Sequence, residues 1–517
     1  AVFQTDVRDG LINRPELTQK ELKVYEIINQ ITDQEGWEVD VLNDQTTANW
    51  KEDMIDLESD HISEAIADLI FTQLKLKAKL FNEPSIQGAV AIFSGSVVKS
   101  DRVLSNDLRK ELNTLVQPLE TVPAIQREYR PDSRERVVDL VNPSLYTPIK
   151  GKSRQIAKGQ PPLDLDSCFT QLNKKQPVYS PGHLLMTAWL PCEVAHIESK
   201  AKITSYINNL HPNKHRRLYD LIEEVVYCGI LAWNLGLGSG SGTNDDSPAY
   251  DESSVSQGKK AQAEIYAPAE KALDLTLLRR FEAAGLQVVV QMTNIELTPA
   301  KPDFSSEDWH LAGTEVDGVC AIAHYFYSCE NATEPRLAFR QRLTPTTTDE
   351  DLINLNPFVQ VVGEVEATEG RLIAFPNTLQ SRLQDFTIKD RSRFGHVKIL
   401  TLYLLDPAER RVSTSTILPQ QKAWWVERAQ ELKASGHIGD PENELLATLL
   451  VDTSDDEPYF SSKPDDFPIS INEVRYRGKP LGQMRKAKAA ALALLFEKGR
   501  IEQEIVEEKR PLPAYSE

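Results

Sequence analysis

Four long apolar runs in the second half of the chain limit its fold more than anything else in the sequence. LQVVVQMTNIELTP (286–299) and VCAIAHYFYS (319–328) are rich in β-branched and aromatic residues, over lengths that suit strands rather than helices. GRLIAFPN (370–377) and GHVKILTLYLLDP (395–407) continue the pattern on either side of a Pro-Asn turn and a short return. A strand, a tight turn, a short return and another long strand are what the wall of a curled sheet needs. Residues from about 285 to 410 are therefore predicted to form a β-barrel.

The segments around this core read differently. PELTQKELKVYEIINQITD and SEAIADLIFTQLKLKAKLF, both within residues 15–82, place apolar residues at i, i+3, i+4 and i+7 and predict helices, with a polar segment between them. Further helices are predicted from Ser105 to Val116 and, after a His211-Pro212 turn, through residue 226. The segment from Glu128 to Lys158, which carries VDLVNPSLYTPIKGKS, reads as an extended arm lying over the surface. Residues 236–262 are rich in Gly, Ser and Asp without apolar periodicity, and read as a flexible insertion. The expected organisation is a helical N-terminal region with its arm (1–235), the insertion (236–262), the barrel core (263–425) and a C-terminal helical region with a basic segment (426–517).

Composition bounds the function classes. The chain carries a formal net charge of −19, which argues against a surface that attracts nucleic acid everywhere. Basic charge is instead gathered in islands. Between residues 475 and 500, Arg475, Arg477, Lys479, Arg485, Lys486, Lys488, Lys498 and Arg500 face one acid, Glu497, and would suit a polyanion approaching one face. The five cysteines show no CxxC spacing, against both a disulfide framework and a zinc site. No run of about 18 apolar residues exists, and no basic-then-apolar leader opens the chain. The expectation is a cytoplasmic protein with no membrane partner.

Ser306 to Gly313 read SEDWHLAG, sixty residues upstream of the Pro-Asn turn. Together these blocks resemble the double-stranded β-helix, a jelly-roll-like barrel, of iron- and 2-oxoglutarate-dependent oxygenases. The resemblance implies an α+β fold in which N- and C-terminal helices wrap that barrel. Such enzymes hold iron with a His-x-Asp/Glu pair on an early strand and a distal His just after the turn. The first His is present as His310, but the carboxylate position is Ala312 and the distal position is Ser381, neither of which ligates Fe(II).

Eight blocks in order, from ITDQEGWEVDVLND (31–44) through VDLVNPSLY (138–146), SYINNLHPNKHRRLYDLIEEV (205–225), EGRLIAFPN (369–377) and STSTILPQQKAWW (413–425), resemble a large fungal family catalogued as a domain of unknown function. Most of that family shows WHxEG and PNxxQHR, so the departures at Ala312 and Ser381 belong to this chain. A related branch is the arginine-containing cyclodipeptide synthases, which join arginine to a second amino acid from charged tRNA. That resemblance implies a tRNA-dependent synthase with arginyl-tRNA and a second aminoacyl-tRNA as partners, no metal and no cofactor.

Under this expectation His310 serves as base, Ser381 as acyl acceptor or hydrogen-bond donor, and Glu315 assists them. Glu296, Asp308 and Asp317 offer carboxylates to a guanidinium, Arg393 and Lys398 contact a phosphate or ribose, and the basic residues from Arg475 to Lys488 bind tRNA. Two alternatives remain open. One is an Fe(II)/2-oxoglutarate oxygenase with altered ligands such as His324, His396 or Asp317, and the other is a catalytically inactive binding barrel.

Overall fold

The computed structural model describes residues 16–57, 62–84, 86–93, 96–123, 127–130, 133–148, 153, 155, 188–197, 200–238, 283–313, 317–343 and 359–435. In chain order the elements are helices α1 (Gln19–Ile31), α2 (Trp37–Asp40), α3 (Asp44–Leu57) and α4 (Glu64–Phe81), strands β1 (Ala89–Ile92) and β2 (Val97–Ser100), helix α5 (Asn106–Glu120), strands β3 (Glu128–Tyr129), β4 (Val137–Val141), β5 (Cys192–Ile197) and β6 (Lys200–Ile203), and helix α6 (Arg216–Gly238). Strands β7 (Leu286–Leu297), β8 (Asp303–Phe304), β9 (Val319–Glu330), β10 (Arg336–Arg342), β11 (Val359–Glu366), β12 (Leu372–Pro376), β13 (Gln380–Leu383), β14 (Phe386–Thr387) and β15 (Gly395–Leu405) follow, and helix α7 (Lys422–Ala434) closes the described chain.

These elements make a mixed α/β fold with antiparallel sheets. A ten-stranded sheet runs β1-β2-β12-β9-β15-β7-β4-β3, with β5 also on β7 and β6 on β5. A three-stranded sheet runs β11-β10-β13, and β8 pairs β14. The predicted barrel is corrected in this respect: among the described residues the strands form separate sheets that face each other, not a closed barrel. Each long strand has two buried faces, which is why its sequence reads as a near-continuous apolar run.

Strand alternation sorts the side chains into two cores. From β7, Val289, Ile295 and Leu297 enter a core shared with the three-stranded sheet and helices α1 to α4. Leu286, Val288, Val290 and Met292 enter a second core under α5 and α6. Trp233 of α6 fixes that layer by donating its indole N–H to the Ile322 carbonyl at 3.0 Å. Across the first core Phe339 of β10 meets Phe375 of β12 edge-on at 4.9 Å, so the two sheets touch ring to ring.

Several sequence expectations shift. The polar segment between the first two helices is itself helical over Asp44–Leu57. The described residues before 235 supply six strands as well as helices, and the expected arm contributes β3 and β4, which pair with each other, β4 also pairing with β7. Residues 236–238, placed in the insertion by composition, end helix α6. The rest of that insertion and the basic segment lie outside the described residues.

A buried charge network fastens α1 to the large sheet. Lys99 on β2 is 2% exposed and donates to the Asn29 carbonyl (2.9 Å), Asn29 Oδ1 (2.8 Å) and Asp33 Oδ1 (2.6 Å). Arg371, 4% exposed, meets the same Asp33 oxygen at 2.7 Å and grips Asp101 through Nε and Nη2 at 2.7 and 2.8 Å. Burial lowers the Lys99 ammonium to about 8 despite the Asp33 carboxylate, because Arg371 shares that one anion. Asn29 also donates to the Glu364 carbonyl at 3.0 Å, extending the fastening to β11.

Candidate functional site

The WHLAG segment lies beside β13 through a single antiparallel bridge. The His310 N–H donates to the Ser381 carbonyl at 3.3 Å, and the Ser381 N–H returns a bond to the His310 carbonyl at 3.1 Å. Residues that exchange both bonds carry their side chains on one face at close range. The Pro-Asn turn secures this pairing: Asn377 accepts from the Ala312 N–H at 2.8 Å and donates to the Ala312 and Val319 carbonyls at 3.0 and 2.9 Å. Gly313 follows at φ +68°, where a Cβ would stand 3.2 Å from Asp317 Oδ2, so the chain turns there on a residue without a side chain.

His310 and Ser381 are thus cross-strand neighbours, with Ala312 two residues on. His310 Nδ1 lies 2.9 Å from the Asp308 carbonyl, which only accepts, so Nδ1 carries a proton and in the neutral ring the lone pair is on Nε2. Ser381 is buried. Among the described residues no three His, Cys, Asp or Glu side chains gather to hold an ion. The donor set does not fit iron held in the manner the oxygenase resemblance implies.

A polar row crosses the inner face of the large sheet beside this segment. His324 on β9 stands opposite Ile373 on β12 and Thr401 on β15, and Thr401 stands opposite Gln291 on β7. His324 Nδ1 is 2.9 Å from Thr401 Oγ1, and the Tyr403 hydroxyl donates to Gln291 Oε1 at 2.6 Å. Asp139 Oδ1 accepts from Gln291 Nε2 (3.1 Å), Thr293 Oγ1 (2.8 Å) and Arg130 Nη2 (3.1 Å), while Arg130 Nη1 reaches Glu307 Oε1 at 2.7 Å. Trp189 packs on Tyr403 with ring centroids 4.9 Å apart.

The row is electrostatically settled. Burial opposes the Arg130 charge, but Asp139 and Glu307 outweigh it and raise the guanidinium above its ordinary value. Burial raises the Tyr403 phenol against the pull of Arg130 and keeps it a donor. Burial, then the charges of His310 and Arg130, lower the His324 imidazole to about 3. A histidine depressed in the folded state takes up its proton more readily when unfolded, so its contribution is complete above its ordinary value of about 6.5 and is lost as pH falls toward 3. Urea melts of His324→Gln across that range are expected to show a shallower loss of stability on acidification than the native chain. A slope identical to the native one would remove His324 as a source of the acid sensitivity.

The other sequence-selected residues are dispersed. Alternation places Glu296 and Lys398 on the helix side of the sheet, opposite to the polar row. Glu296 is held bidentately by Arg127 at 2.9 and 3.2 Å, and Lys398 pairs with Glu120 of α5 at 2.7 Å. Arg393 meets Glu330 at 3.1 Å on the exposed end of β15 and β9. Asp317 is buried and accepts the Trp189 backbone N–H at 2.7 Å, whereas Asp308 is exposed. His396 Nε2 lies 2.8 Å from Ser328 Oγ, near the strand end rather than beside His310. Glu315 and the basic residues Arg475, Arg477, Lys479, Arg485, Lys486 and Lys488 lie outside the described residues. Of the polar row the sequence reading named only His324, although Gln291 and Thr293, spaced by two within an apolar strand, were a visible signal of the rest.

No curated protein matches the chain. Similar solved structures include an Fe(II)/(alpha)ketoglutarate-dependent dioxygenase, TqaL (TM-score 0.26, 9% identity, covering 66% of this chain and 88% of that one). A 2OG-Fe(II) oxygenase family oxidoreductase from Burkholderia pseudomallei matches with TM-score 0.19 and 8% identity, covering 50% of this chain and 96% of that one. IDO from Bacillus thuringiensis matches with TM-score 0.17 and 8% identity over 28% of this chain, which spans 59% of that protein's length. The expected tRNA-dependent cyclodipeptide synthase, with its arginyl-tRNA and second aminoacyl-tRNA partners, is corrected: the carboxylates assigned to an arginyl pocket do not converge, since Glu296 is held by Arg127 on the helix side of the sheet, Asp317 is buried on the Trp189 backbone and Asp308 is exposed. No helix among the described residues is long and apolar enough to cross a membrane. The sequence matches the family described as "Protein of unknown function (DUF4246)" over residues 64–428 and its N-terminal domain over residues 1–53, and the chain belongs to this family.

Proposed function

We propose that the chain is an oxygenase-type double-stranded β-helix whose iron position has been dismantled, and whose inner polar row binds a small polar molecule. The observation that carries this reading is the bridge between His310 and Ser381. It supports a retained framework in which the positions that would hold a metal are neighbours, while only one of them carries a donor able to ligate. His310 Nε2, Ser381 Oγ and the row through His324, Thr401, Gln291, Tyr403 and Arg130 then recognise a ligand by hydrogen bonding.

A second reading, an Fe(II)/2-oxoglutarate oxygenase with altered ligands, draws on the two imidazoles near one face, His310 being close enough for its charge to act on His324. Anaerobic Fe(II) titration followed by an oxoglutarate consumption assay separates the two. The binding-fold reading expects no stoichiometric iron and no turnover, and tight iron with steady oxoglutarate loss would sink it in favour of the second. Restoring both missing positions in Ala312→Asp/Ser381→His is expected to tighten Fe(II) binding about tenfold or more, about 1.4 kcal/mol. An unchanged isotherm in that variant would mean that the three positions do not converge.

A further inference from the structure

The outer face of the three-stranded sheet carries a feature that neither the fold nor the inner polar row uses. Phe339 of β10 and Ser381 of β13 face each other across the pairing and are buried. Their neighbours Arg340 and Arg382 both reach Trp309, the residue before His310. The Arg382 guanidinium carbon lies 4.5 Å from the Trp309 ring and that of Arg340 4.9 Å. Two cations on one indole repel each other, and the Arg340 guanidinium is lowered from its ordinary value, first by burial and then by the Arg382 charge.

Nothing among the described residues neutralises them. Arg340 donates through Nε to the uncharged side chain of Gln380. Arg382 Nε is buried and has no hydrogen-bond partner among the described residues. On the same strand Arg336 has its acids, Glu364 at 3.0 Å and Glu334 at 3.5 Å, whereas Arg340 and Arg382 meet no carboxylate among the described residues. A buried donor left unsatisfied beside a second uncompensated cation is a costly arrangement. An acceptor carrying negative charge resolves both defects at once.

We propose that Arg340 and Arg382, brought together by Trp309, bind a small oxyanion, the carboxylate or phosphate group of a metabolite-sized ligand. The indole gathers both guanidinium groups on one ring, and Arg382 Nε supplies one donor of a two-point contact. The site lies on the opposite side of the strand wall from the His310 side chain and stands independently of any reading of that side.

The test is isothermal titration of the whole chain with inorganic phosphate and, separately, with succinate, chloride holding ionic strength constant, in the native chain, Arg382→Met and Arg340→Gln. Saturable one-to-one binding is expected for at least one probe, weakened about tenfold or more in each variant. Binding of phosphate alone assigns the site to phosphorylated ligands, and of succinate alone to carboxylates. Because Arg382→Met removes an unsatisfied donor and a repulsion, its melting temperature without ligand is expected to equal or exceed the native one. Should that variant fail to fold, Arg340→Gln alone carries the comparison. No binding of either probe, or binding unchanged by both substitutions, would overturn the proposal.

Discussion

Asp33→Ala is expected to destabilise the protein by about 3 kcal/mol, the lower end of the cost of leaving a buried charge unmatched, because Asp33 itself is partly exposed. Asp33 is the anion that Lys99 and Arg371 share, and those two cations are 2% and 4% exposed. Without it Arg371 keeps Asp101, but Lys99 retains only the neutral acceptors of Asn29. Lys99→Met should cost less, because it leaves Asp33 matched to Arg371. Equilibrium urea unfolding of the two variants gives the ranking. If Lys99→Met proved the more damaging, Asp33 would not be the centre of the network.

Phe339→Ala is expected to cost about 3–5 kcal/mol, as large-to-small changes at packed aromatic positions do. Phe339 is fully buried, meets Phe375 at 4.9 Å and Phe93 at 6.4 Å, and so joins the three-stranded sheet to the large one. Opposite it on β11 sits Gly363, where a Cβ would approach the Phe93 ring at 2.6 Å. The backbone is therefore drawn close at this point and has little freedom to collapse into a cavity. Calorimetric unfolding of the variant gives the loss directly, and a change under about 1 kcal/mol would show that the sheets are held together elsewhere.

The long central strands were legible in the sequence because each is buried on both faces. LQVVVQMTNIEL, VCAIAHYFYSCE and GHVKILTLYLL read as strands and fold as strands. The neighbourhood of His310 and Ser381 was legible only through the Pro-Asn framework, since seventy residues separate them and no local periodicity relates them. What stayed hidden has physical reasons. AVAI and VVKS, now β1 and β2, are too short for a period to show, so the N-terminal half read as helices and an extended arm without strands. Glu296 and Lys398 sit in the same strands as the inner row, but face parity alone sends them to α5 and Arg127, and parity is set by a register that the sequence does not print. Arg130 and Asp139 share the β3–β4 hairpin, but Glu307 joins them from a stretch far along the chain, a meeting that no local pattern announces.

The pairing of β2 with β12, in which Ser100 lies opposite Leu372, dictates when a growing chain can finish folding. Until β12 has left the ribosome, β2 has only β1 beside it, and a lone two-stranded ribbon is marginal in water. β4 and β5 wait in the same way for β7. At ~5–20 residues per second the delay between β2 and β12 is on the order of tens of seconds. For that interval the newborn chain presents open strand edges that its own later half has yet to cover, and its fate rests on whatever shields them.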